Sequence, residues 1–74
     1  MNANDLAKKL NEMYFGAIDG ETATMVHLFG IKYSDEIKAC EASPKQIAIL
    51  AKIPETYGTE INKACKLSKY VVIK

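Results

Sequence analysis

Chemistry in a short chain needs reactive groups in pairs or clusters, and the candidates here are one histidine, His27, and two cysteines, Cys40 and Cys65. The cysteines lie 25 positions apart, without the short spacings that hold a metal ion or form a redox pair. Free cysteine is among the most buried residue types, and both sit among apolar neighbours, so both are read as core residues. His27 lies within Met25-Val26-His27-Leu28-Phe29, where a lone imidazole is structural more often than catalytic. There is no second histidine and no glycine-rich phosphate loop, and no nucleophile stands beside a base. The reading is a protein that is not an enzyme, with no cofactor and no metal.

What remains is charge. The 74 residues have a formal net charge of only +1, but the two halves differ in sign. Residues 1–37 carry three lysines against six carboxylates, and residues 38–74 carry seven against three, so the halves stand at −3 and +4. A cationic C-terminal half suits a polyanionic partner. The length allows one core, and 49% apolar with 26% charged residues is the balance of a folded module spanning 1–74. The longest apolar runs, Ile47 to Ala51 and Tyr70 to Ile73, fall far below the roughly 20 residues of a membrane crossing. Met1 to Leu10 mixes charged with apolar residues and does not read as a secretory signal, so the expected setting is soluble and cytoplasmic, with no membrane partner.

The elements that would position these charges all read as helix. Asn4 can cap a first helix over about 4–17, with Leu6, Leu10, Met13 and Ala17 on one face. A second helix is expected over 21–29, stopped by Gly30. It is apolar on more than one side, so it is either central to the core or part of a contact with another chain. Ser34-Asp35-Glu36 looks like a third start, leading to Ile37 and Cys40. Ser43-Pro44-Lys45-Gln46 is the sharpest local signal: serine caps, proline takes the first helical position, and glutamine can return a bond to the serine amide. That helix must break at Ile53-Pro54. A longer one follows over about 55–69, with Tyr57, Ile61, Ala64, Cys65 and Ser68 on its buried side. The fold class is all-α, a compact bundle of four to five short helices.

A short helix, a tight break and a second helix crossing steeply form a helix-turn-helix. Ala48 can let the two backbones approach, Ile53 can plug the corner and Ile61 can anchor the second helix. With Ile47 and Ala51 beside them, residues 43–63 resemble the helix-turn-helix of bacterial transcriptional regulators. Two positions depart from that pattern. Lys52 stands where glycine usually takes a left-handed backbone angle, at a cost on the order of 1 kcal/mol. Gly58 stands where Val or Ile usually packs, and Tyr57 beside it is expected to fill the space.

The resemblance implies double-stranded DNA as partner, read in the major groove by the second helix. Thr56, Thr59, Glu60 and Lys63 would then face base edges, while Lys45, Lys66 and Lys69, with the amide or side chain of Gln46, would meet phosphates. The chain contains no arginine, so paired bonds to guanine are not expected. Few lysines touch few phosphates, and a homodimer on two half-sites is the usual remedy. Val26 and Phe29, or the C-terminal Val71 to Ile73, would supply the contact between copies. The competing reading is a helical protein-interaction module in which the same hairpin is only scaffold.

Overall fold

The computed structural model describes residues 1–71. Within them are five helices and no strand: α1 (Ala3–Phe15), α2 (Thr22–Lys32), α3 (Ser34–Ala39), α4 (Pro44–Leu50) and α5 (Tyr57–Leu67). The all-α expectation is met, and each anticipated helix is present with adjusted ends.

The first adjustment is at α1, which is capped by Asn2 and not by Asn4. Asn2 Oδ1 accepts from the Asp5 amide at 2.8 Å, and Asp5 Oδ2 accepts from the Asn2 amide at 3.4 Å. This reciprocal pair satisfies two free donors at once, an advantage Asn4 would not have. Leu6, Ala7 and Leu10 are buried, and Ala17 lies beyond the helix end.

Gly30 does not stop α2, which continues to Lys32. A Cβ at Gly30 would lie 2.5 Å from Ala64 Cβ and 2.9 Å from the Ile61 carbonyl oxygen. The glycine therefore lets α2 and α5 touch backbone to backbone, and α5 makes its most extensive contact with α2. This also decides the role of α2. Val26 and Phe29 are 0% exposed and pack with Leu6, Leu10, Ile47 and Ile61 in the core. They are unavailable to a second chain, so the first of the two expected dimer contacts is corrected: α2 is apolar on several sides because other helices of its own chain cover it.

Ser34 opens α3 but does not cap it. Its side chain is buried, 2.9 Å from the Ser68 hydroxyl, which in turn donates to the Cys65 carbonyl at 2.6 Å. A buried hydroxyl needs such partners, and here they tie the α2–α3 junction to the end of α5. Cys65 is buried and Cys40 half-buried, both as free thiols.

Candidate nucleic-acid interface

The candidate site is built on α4, α5 and the corner between them. Ser43 caps α4: its Oγ accepts from the Gln46 amide at 3.2 Å, and Gln46 Oε1 accepts from the Ser43 amide at 2.9 Å. After Leu50 the chain closes the helix with two backbone bonds, Lys52 N–H to the Ile49 carbonyl at 3.0 Å and Ile53 N–H to the Ala48 carbonyl at 3.1 Å. This pairing is a Schellman motif, whose left-handed position falls on Lys52, at φ +63°. The motif ordinarily brings the residue after the left-handed one against the last turn of the helix, which here joins Ile53 to Ala48. Ala48, Ile53 and Ile61 are all buried in one core cluster. Asn11 Nδ2 donates to the Ala51 carbonyl at 2.8 Å and so fastens α1 to the same corner.

Gly58 explains the second departure from the usual pattern, and the expectation about Tyr57 is corrected. A Cβ at Gly58 would sit 2.7 Å from Lys45 Cα and 2.9 Å from Lys45 N. There is no space to fill, because the start of α4 lies directly on α5. Tyr57 packs instead edge-on against Tyr14 of α1, ring centroids 5.5 Å apart.

With its inner face committed to α2, α4 and the corner, α5 leaves Thr59, Asn62, Lys63 and Lys66 exposed, and Lys69 is exposed in the turn that follows. The first four recur at helical spacing along one side of an 11-residue rod, about 16 Å long. Thr59 and Asn62 share a shallow cleft with Ser43, Pro44, Lys45 and Gly58, so Lys45 joins this face across the α4–α5 contact. Thr56 is exposed just before α5, and its side chain makes no capping bond.

Gln46 and Glu60 are placed differently from the rest. The Gln46 amide and Oε1 are both used in the cap of α4, and its side chain borders a separate apolar patch with Ala42, Ile49 and Leu50. Only its side-chain NH₂ remains to donate. Glu60 Oε2 lies 2.8 Å from His27 Nε2, and Oε1 lies 3.8 Å from Lys63 Nζ. The His27 hydrogen bond, followed by the Lys63 charge, holds the Glu60 carboxyl below its ordinary value. Glu60 is thus a strut from α5 to α2, and His27 has a structural role as its partner. Lys45 stands 3.9 Å from Glu55. Exposed pairs of this kind hold weakly, so the Lys45 and Lys63 ammoniums can exchange to a stronger anion.

Asn62, which the sequence places on the outer side of this helix but not among the contact residues, joins the face here. The signal was present: it lies three positions after Thr59 and four before Lys66, on one helical stripe. Among the described residues no group of three or more His, Cys, Asp and Glu side chains comes together to hold a metal, and no helix is long and apolar enough to cross a membrane.

A family model described as an HTH-like domain matches residues 2–74. The match covers nearly the whole chain, and the chain belongs to this helix-turn-helix-like family. Comparison with curated proteins and with solved structures gave no match.

Proposed function

We propose that this chain binds duplex DNA through the outer face of α5 and acts as a transcriptional regulator. The observation that carries the reading is the pairing of a closed helix-turn-helix corner at Ala48, Ile53 and Ile61 with an uncovered row of Thr59, Asn62, Lys63 and Lys66 on its second helix. Thr56, Thr59, Asn62 and Lys63 are assigned to base edges, and Lys45, Lys66 and Lys69 to phosphates, the Gln46 NH₂ contributing at the margin. Glu60 keeps its place on this face by fixing the pitch of α5 against His27. Without arginine, sequence reading rests on hydroxyl and amide groups and is modest in strength. The chain is read as a single domain working in the cytoplasm of a bacterial cell.

The three lysines assigned to phosphates predict a salt slope of about −2.7 in log K against log salt for each chain. Gel retardation or fluorescence anisotropy on a short duplex measures it. Lys63→Glu with Lys66→Glu should abolish binding while far-UV circular dichroism stays unchanged, because both side chains are solvent-exposed. A wild-type chain that ignores duplex DNA even at low salt refutes the proposal. The interaction-module reading then takes over, favoured by the exposed Ile49 and Leu50 on α4.

Affinity at cellular salt is expected to need a homodimer. The remaining candidate contact is the C-terminal end, where Leu67, Tyr70 and Val71 are exposed at 49%, 82% and 42%; Val72 and Ile73 lie outside the described residues. Sedimentation showing a monomer at micromolar concentration would remove the paired half-sites from the proposal.

A further inference from the structure

Between α3 and α5 lies a groove of about 290 Å³, lined by Ile37, Lys38, Pro44, Asn62, Cys65, Lys66 and Lys69. Its volume is near the lower end of the roughly 300–1,000 Å³ typical of small-molecule sites. The lining divides into two chemical parts. Ile37 and Cys65, each 5% exposed, form an apolar floor with Pro44. Around it stand three lysines, Lys38 from α3, Lys66 from α5 and Lys69 from the turn after it, and no carboxylate.

Among the described residues none of these three ammonium groups forms an ion pair, whereas Lys45 and Lys63 on the neighbouring face both do. Burial pushes the Cys65 thiol up, and the charge of Lys38, which lines the same groove, opposes that shift. Like charges around an apolar concavity focus a positive potential into it. Solvent and salt screen their mutual repulsion in part, and a bound anion relieves it further. Inorganic phosphate would satisfy the rim but leave the floor wet, and a neutral apolar molecule would do the reverse.

The geometry points to a binding site for a small organic anion with an apolar body, an aryl or medium-chain carboxylate, whose carboxylate takes Lys66 and Lys69 away from DNA. The competitive part rests on the DNA-binding reading above, since the same two lysines are assigned there to phosphates. Occupancy of the groove and binding of the duplex then oppose each other reciprocally.

The test uses the full chain and three probes: 4-phenylbutyrate, its charge-reversed counterpart 4-phenylbutylamine, and inorganic phosphate. In ¹⁵N-edited NMR titrations without DNA, phenylbutyrate should move the amides of Ile37, Asn62 and Cys65 saturably, and the other two probes should not. Lys38→Gln, an exposed substitution outside the DNA face, should weaken phenylbutyrate about fivefold, the scale of one charge contact in water. It should leave duplex affinity as it is. Saturating phenylbutyrate should lower duplex affinity at least about tenfold, as expected when two phosphate contacts are lost. Equal response to the amine or to phosphate, or no saturable shift at these amides, overturns the site. Duplex affinity that is indifferent to phenylbutyrate overturns the competition. Because the titration is done without DNA, a chain that fails to bind duplex while showing the groove shifts refutes the proposed function and leaves the site standing.

Discussion

Replacing Lys52 with glycine should make this protein more stable, although the change removes a charged side chain and adds backbone freedom. Lys52 sits at φ +63° in the turn between α4 and α5, and its side chain is exposed without an ion pair among the described residues. Holding a Cβ in the left-handed region costs about 1–2 kcal/mol. Glycine escapes that cost but loses about 0.5–1 kcal/mol more backbone entropy on folding. The difference favours glycine by about 0.5–1 kcal/mol. Unfolding entropy of about 2.1 cal/mol/K per residue comes to roughly 155 cal/mol/K for 74 residues, so Tm should rise by about 3–6 °C. Thermal melts followed by far-UV circular dichroism read the shift, with Lys52→Ala as control. Alanine keeps the strained angle and loses only the charge, so its Tm should stay within about 1–2 °C of wild type. If alanine matches glycine, the gain comes from the lost charge and the strain argument is wrong. A glycine variant that melts lower than wild type would mean that the turn does not hold a left-handed angle in solution.

The other perturbations address how α5 is held. Gly30→Ala and Gly58→Ala each drive a Cβ into atoms that cannot swing aside, the Ile61 carbonyl with Ala64 Cβ in one case and the Lys45 backbone in the other. Each should cost about 1–3 kcal/mol in urea unfolding, and a neutral result at either would show that the helices are further apart. Glu60 is more acidic in the folded chain than its ordinary value of 4.5 because of His27 and Lys63. Its contribution is therefore complete above that value and lost as pH falls through the lower folded one. Glu60→Gln should flatten the fall of urea midpoint as pH drops below the ordinary value of 4.5; an unchanged slope would mean that the His27 contact is not made in solution.

Much of this arrangement was legible because its determinants are local. Ser43, Pro44 and Gln46 specify the start of α4 within four residues, and the capping bonds follow. The spacing of Ile61, Ala64, Cys65 and Ser68 put the inner face of α5 where the structure has it. What escaped depends on residues far apart in the chain. Gly30 reads locally as a helix stop, and only the proximity of Ile61 and Ala64 turns it into a contact point. Gly58 reads as a missing side chain until the Lys45 backbone is seen against it. Ser34 reads locally as the start of α3, which it is, but only the fold shows Ser68 and the Cys65 carbonyl drawing its hydroxyl inward. The bond from the Ser43 amide to Gln46 Oε1 was local and legible, and it leaves the glutamine less free for a partner than the asparagine on the open stripe.

These long-range contacts share a consequence for function. Gly30 under Ala64, Gly58 under Lys45, Ser34 beside Ser68 and His27 against Glu60 all grip α5 from one side. A helix fixed by backbone proximity and short hydrogen bonds on its inner face does not need its outer face for stability. Thr59, Asn62, Lys63 and Lys66 can then vary with little effect on the fold, since solvent-exposed substitutions away from caps and networks usually change stability by no more than about 0.5 kcal/mol. That separation is what a recognition surface requires, and it makes charge reversals at Lys63 and Lys66 a test of binding instead of folding. Glu60, at the border of the two faces and bonded to His27 of α2, is the residue whose substitution should alter both the setting of α5 and its charge.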